Sequence, residues 1–160
     1  MHPPARALAV LLLTTAVIIG GCSGGPPTAS VPPVVREVLA AGDPMAAPGQ
    51  KLELVRYTIQ PGTALNAHRH PGVQLAYVES GTLTYTVIEG TVTVHHVDGG
   101  SRSIGPGETA RIEAGEWIAE DEVIVHFGEN AGTEVVVILA SSLLDAAEPP
   151  AIPVSPSPSP

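Results

Sequence analysis

The chain has 160 residues and a formal net charge of −9, with 16 acidic residues against 7 Lys and Arg. That balance excludes the basic face that nucleic-acid phosphates require and a polybasic attachment to anionic lipid. A single cysteine rules out an intrachain disulfide. The fold must therefore rest on a buried core, which a domain of roughly a hundred residues can supply.

Residues 1–21 read as an export signal: Arg6 lies in a short leading segment, and Leu8–Ile19 is apolar apart from Thr14 and Thr15. A membrane span needs roughly 20 apolar residues, more than this stretch provides. It ends Ile19-Gly20-Gly21-Cys22-Ser23. An aliphatic residue, two small residues and a cysteine resemble the bacterial lipobox. The resemblance implies cleavage before Cys22, diacylglycerol on its sulfur, and lipid anchoring to the outer face of the bacterial cell membrane, where two or more acyl chains hold stably. Residues 22–33, rich in Gly, Pro, Ser and Thr, are then a flexible tether.

Residues 34–148 carry the domain. Val34–Ala40 reads as a short strand or a brief helix, and Leu52–Ile59 and Val73–Val78 as strands. Thr82–Ile88 and Thr91–Val97 flank Glu89-Gly90, a hairpin signal, and Asp98-Gly99-Gly100 marks a further turn. Gly105-Pro106-Gly107 and Ala114-Gly115 bracket short strand material around Thr109–Ile112; Val123–Phe127 and Glu134–Leu139 close the series. Ser141–Ala147 has the length of a short helix. Residues 149–160 are a Pro/Ser-rich tail, expected extended and unpacked. Short, turn-separated, Val-, Ile- and Thr-rich elements of this kind give an all-β sandwich or barrel.

The chemistry is concentrated in Pro61–Gly81. Side chains two apart on a strand share a face, so His68 and His70 point together and Arg69 points away. Two imidazoles on one face can converge on one metal ion. Gln74 has the same parity, counted across Pro71-Gly72, and carries an amide oxygen. His95 and His96 are adjacent and face opposite sides, so they do not form a second pair for one ion. Glu79, Glu120, Asp121 and Glu122 read as solvated acids, with an acid/base role open to any of them only if a loop folds over the barrel mouth. Tyr57, Tyr85, Trp117 and Phe127 read as core or rim, with Tyr85 or Trp117 the candidates to line a pocket.

Gly62, His68, His70, Gln74 and Gly81 have the spacing of the first cupin motif, with Gln74 where that motif carries Glu. Gly107, Gly115, His126 and Asn130 follow the order of the second, with Glu113 in place of Pro and a longer interval before the histidine. The region from Leu52 to Ala140 thus resembles the cupin superfamily. The resemblance implies a double-stranded β-helix (jelly-roll) barrel. It also implies a divalent transition metal (Zn, Mn, Fe, Ni or Cu) held by His68, His70 and His126, with Gln74 in the fourth slot, and possible pairing as a homodimer.

Three classes of function remain open. The first is a metal-binding module that presents a small-molecule ligand at the cell surface. The second is a metal-dependent enzyme of dioxygenase, isomerase or lyase type, which would use the metal as Lewis acid or to activate water or oxygen. The third is a metal-free structural or ligand-binding domain. No residue is assigned a catalytic role, and no Gly-x-Ser-x-Gly elbow or phosphate loop is present.

Overall fold

The computed structural model describes residues 30–155. Cys22, the export signal and residues 156–160 of the tail lie outside the described residues. Among the described residues thirteen strands follow one another: β1 (Val34–Gly42), β2 (Gln50–Ile59), β3 (Thr63–Ala64), β4 (His68–Arg69), β5 (Gly72–Ser80), β6 (Thr82–Glu89), β7 (Val92–His95), β8 (Ser101–Ile104), β9 (Thr109–Glu113), β10 (Trp117–Glu120), β11 (Val125–Asn130), β12 (Val136–Asp145) and β13 (Ile152–Pro153).

They form two antiparallel sheets. One has seven strands in the order β1-β2-β12-β5-β10-β7-β8, and the other has five on its main path, β13-β4-β11-β6-β9, with β3 pairing β11. Consecutive strands repeatedly switch sheets: β5 lies in the first, β6 in the second and β7 in the first again. That alternation makes the all-β, cupin-type double-stranded β-helix expected from the sequence.

Period-two burial explains the packing. Along β5, Gln74, Ala76 and Val78 are buried while Val73, Leu75 and Tyr77 are exposed. Along β6, Leu83, Tyr85 and Val87 are buried. These inner faces meet Val92, Val94, Ile112, Ile118 and Ile138 in one core between the sheets. Each fully buried aliphatic side chain contributes about 1.5–3 kcal/mol relative to exposure.

The structure corrects four local expectations. Glu89-Gly90 does not close a hairpin: β6 pairs with β9 and β11, whereas β7 pairs with β8 and β10. The chain instead crosses between sheets at Gly90, so that Val87 and Val92 both point into the core. Ser141–Ala147 is not helical, because β12 runs on through Asp145 with Ala140, Ser142 and Leu144 facing inward. Trp117–Glu120, not anticipated as a strand, is β10. Finally, the tail is packed as far as Val154. Ile152 and Pro153 pair with Arg69 and His68, and the Val154 amide donates to the Ala67 carbonyl at 2.9 Å. Pro is tolerated there because β13 is an edge strand.

The crossing from β5 to β6 turns on Gly81, with φ of 78°. A β-carbon there would lie 2.7 Å from the Val135 carbonyl oxygen. Gly81→Ala is therefore expected to destabilise the fold by about 1–3 kcal/mol. Denaturant unfolding measures this, and an unchanged midpoint would contradict it.

Candidate metal centre

Two cross-strand pairs build the site. His68 on β4 is the register partner of His126 on β11, in one sheet. Gln74 on β5 is the register partner of Glu120 on β10, in the other. Partners directly opposite one another present their side chains to the same face, and the two inner faces look at each other. His70 sits between β4 and β5, where the chain passes from one sheet to the other. Parity across Pro71-Gly72 is preserved: Gln74 Nε2 lies 3.0 Å from His70 Nε2.

The three histidines converge as the sequence implied. Their ligand atoms all lie within 4.8 Å of one another, the one such group of His, Cys, Asp or Glu found among the described residues. Ring centroids of His68 and His126 are 4.4 Å apart, and those of His68 and His70 are 5.0 Å apart. Two of the rings have fixed tautomers. His68 Nδ1 donates to the Asn66 carbonyl at 2.8 Å, and His70 Nδ1 donates to the Pro150 carbonyl at 2.6 Å. A carbonyl only accepts, so each ring carries a proton on Nδ1, and in the neutral ring the lone pair then lies on Nε2.

Burial favours neutral rings. It holds the His68 imidazolium below its ordinary range, a shift that the Asn66 carbonyl opposes and His70 reinforces. Burial pushes His126 down to about 4, against the attraction of Glu120 and with the repulsion of His68 and His70. Near neutral pH the His68 and His126 rings are therefore neutral, each with a lone pair on one of its two nitrogens.

Glu120 is the residue that the sequence reading misplaced. It is not solvated but 2% exposed. Its Oε1 accepts from Tyr85 Oη at 2.8 Å and lies 3.1 Å from His126 Nε2. Its Oε2 accepts from Gln74 Nε2 at 2.9 Å and lies 3.5 Å from His70 Nε2. Burial opposes its ionisation, but His126 and His70, with the Gln74 and Tyr85 donors, hold its carboxyl below the ordinary value. Burial, reinforced by the Glu120 charge, raises the Tyr85 phenol strongly, so that it stays a donor. The Tyr85 ring also stacks on His126, with centroids 4.9 Å apart. The alternation of Trp117-Ile118-Ala119-Glu120 carried the signal: an inward Ile118 places Glu120 inward too.

The remaining sequence candidates lie elsewhere. His95 stacks on Trp117 at 4.0 Å, and His96 pairs with Glu116. Asn130 of the second motif is structural. Its amide donates to the Ile59 and Glu134 carbonyls at 2.9 and 2.8 Å, tying the end of β11 to its neighbours.

Around these polar groups is a cavity of 320 Å³ with mostly apolar walls, including Val34, Ile59, Leu83, Ile118 and Ile138. Among the described residues no Lys or Arg lines it. The donor set fits a divalent transition metal: three imidazoles with two tautomers fixed by backbone carbonyls, and a buried carboxylate beside them. His126 Nδ1 is buried without a hydrogen-bond partner.

The C-terminal segment is part of this site. Besides Pro150, which fixes His70, Ala151 and Pro153 line the cavity. A chain ending at Glu148 is therefore expected to release the His70 ring. Nitrogen-15 NMR should show a single Nδ1–H tautomer in the intact protein and a mixture in the shortened one. An unchanged single tautomer would contradict the role of Pro150.

The sequence matches no family model and no curated protein. Similar arrangements occur among solved structures. One is a protein of unknown function from Streptococcus pyogenes, 17% identical, with a TM-score of 0.44 over 68% of this chain and 72% of that one. Another is a cupin domain from Bordetella pertussis, 14% identical, with a TM-score of 0.42 over 71% of this chain and 96% of that one. A third is the Bacillus subtilis oxalate decarboxylase, a protein with Mn(II) centres, 20% identical, with a TM-score of 0.41 over 71% of this chain but 30% of that one. The fold itself is defined within this chain: two facing antiparallel sheets, alternating crossings between them, and a histidine cluster between their inner faces make it a cupin-type barrel.

Proposed function

We propose that the protein is a metal-binding cupin module that receives a neutral, largely apolar small molecule beside the ion. The observation that carries the reading is the convergence of His68, His70 and His126, buried or half-buried and with Nε2 of His68 and His70 free. A divalent transition metal held there would polarise a donor atom of the ligand. The chain's own residues set what enters. The cavity offers apolar walls and no cationic side chain, which disfavours an anionic ligand and suits an uncharged one with a single polar end.

Export and lipid anchoring through Cys22, on the outer face of a bacterial membrane, belong to the same reading and are supported by Ile19-Gly20-Gly21-Cys22. A module rather than an enzyme is the simpler form of it. The metal-dependent enzyme is the second reading, favoured by Tyr85 and Glu120, a hydrogen-bonded phenol and carboxylate that both line the cavity. Consumption of oxygen with an uncharged apolar substrate by the metal-loaded chain would establish the enzyme; a bound but unconverted ligand would establish the module.

Elemental analysis of protein exposed to a panel of divalent metals should find about one ion per chain, lost in His68→Ala. Background metal throughout, indifferent to that substitution, would overturn the metal reading. Growth with a clickable fatty acid should label the wild-type chain and not Cys22→Ser. An unlabelled wild type would overturn the anchoring.

A further inference from the structure

We infer that Glu120, reaching in from β10, supplies the anionic donor of the metal centre, and that Gln74 positions that carboxylate instead of coordinating. The inference rests on the metal reading above and assigns the donor that completes it.

The register is the first argument. Gln74 and Glu120 are direct partners across the β5–β10 ladder. Exchanging a carboxylate and an amide between two partners leaves both groups facing the same interior space. The amide at position 74 therefore removes no charge from the site, because the opposite strand carries it.

Distances are the second. Donor atoms bound at about 2.1 Å to one tetrahedral ion stand about 3.4 Å apart. Glu120 Oε1 is 3.1 Å from His126 Nε2, and Oε2 is 3.5 Å from His70 Nε2. One carboxylate oxygen thus stands near His126 and the other near His70 at about ligand spacing, while the group of donor atoms mutually within 4.8 Å comprises the three histidines alone, so coordination asks the Glu120 side chain to close on them.

The orientation of Gln74 agrees with this assignment. His70 donates from Nδ1 to the Pro150 carbonyl, which leaves Nε2 as the acceptor of the neutral ring. Glu120 Oε2 accepts as well. Gln74 Nε2 lies 3.0 Å from the first and 2.9 Å from the second. Two acceptors call for the amide nitrogen and its two protons. An oxygen turned toward them would meet a lone pair and a negative charge. The end of Gln74 that faces the centre is thus the end that cannot ligate.

The third argument is charge. A carboxylate 2% exposed, in a cavity with no Lys or Arg on its walls among the described residues, has only the His126 and His70 rings beside it to offset its charge. Tyr85 and Gln74 satisfy its lone pairs but bring no positive charge. A buried carboxylate is retained when it is paired or coordinates a metal.

Zn²⁺ titration of the full chain, followed by calorimetry, tests the assignment, with apo thermal unfolding run alongside on each variant. Glu120→Gln should weaken Zn²⁺ binding at least tenfold. The exchange variant Gln74→Glu/Glu120→Gln should return it to within about threefold of wild type, because it restores one carboxylate and one amide to the same pair of positions. Tight binding by the wild type with equal binding by Glu120→Gln would overturn the assignment and leave the metal reading standing. So would an exchange variant that folds and binds as weakly as the single one. Absence of binding by the wild type would overturn both. Should Glu120→Gln fail to fold, the exchange variant decides alone: binding near wild type supports the assignment, and a folded chain with weak binding refutes it.

Discussion

A carboxylate buried between two sheets sets the terms for everything around it. Glu120 is 2% exposed, and a charge so buried is costly unless donors converge on it. Tyr85 comes from β6, Gln74 from β5, and His126 from β11 lies at contact distance. The two sheets thus meet at this point through polar contacts as well as through the aliphatic core. Removing any one donor leaves the others facing an under-satisfied charge, so the group acts as a unit. Burial and the Glu120 charge together raise the Tyr85 phenol, whereas burial lowers His126 against the pull of that charge.

Backbone carbonyls complete the arrangement. Those of Asn66 and Pro150 each take a ring proton, which points the free Nε2 of His68 and His70 into the interior. The Pro150 carbonyl comes from a segment that pairs with β4 only through Ile152 and Pro153. A short edge strand, rich in proline, thereby sets the tautomer of a buried imidazole and closes one wall of the cavity. Folding the C-terminal segment onto β4 is what finishes the His70 environment.

Much of this was legible in the sequence, and the exceptions have physical causes. His68 and His70 share a face by the period of a strand, and the spaced motif brought His126 to them. Gly and turn residues marked most strand ends. Glu89-Gly90 misled because a two-residue hairpin and a crossing between facing sheets use the same local signal; only long-range pairing separates them. Ser141–Ala147 misled because two leucines hid the alternation of Ala140, Ser142 and Leu144. Glu120 was misread because it opens an acidic run, Glu120-Asp121-Glu122, whose other two members are exposed. Composition spoke for solvent, while the parity set by Ile118 spoke for the interior, and parity won. Pro149–Val154 was misread for a related reason: proline content argues against a central strand but not against an edge one.

Gln74 shows how a substitution within a motif can mislead when positions are read one at a time. Taken alone it subtracts a charge from the centre; taken with its partner on β10, it relocates one. The most direct measurement is an anomalous-diffraction crystal structure of the metal-loaded protein, with data collected at the absorption edge of the ion. The expected result is one peak within coordination distance of His68, His70 and His126 and of a Glu120 oxygen, with the Gln74 amide donating to the carboxylate. A peak bonded to Gln74 oxygen with Glu120 turned away, or one remote from the three histidines, would contradict the account.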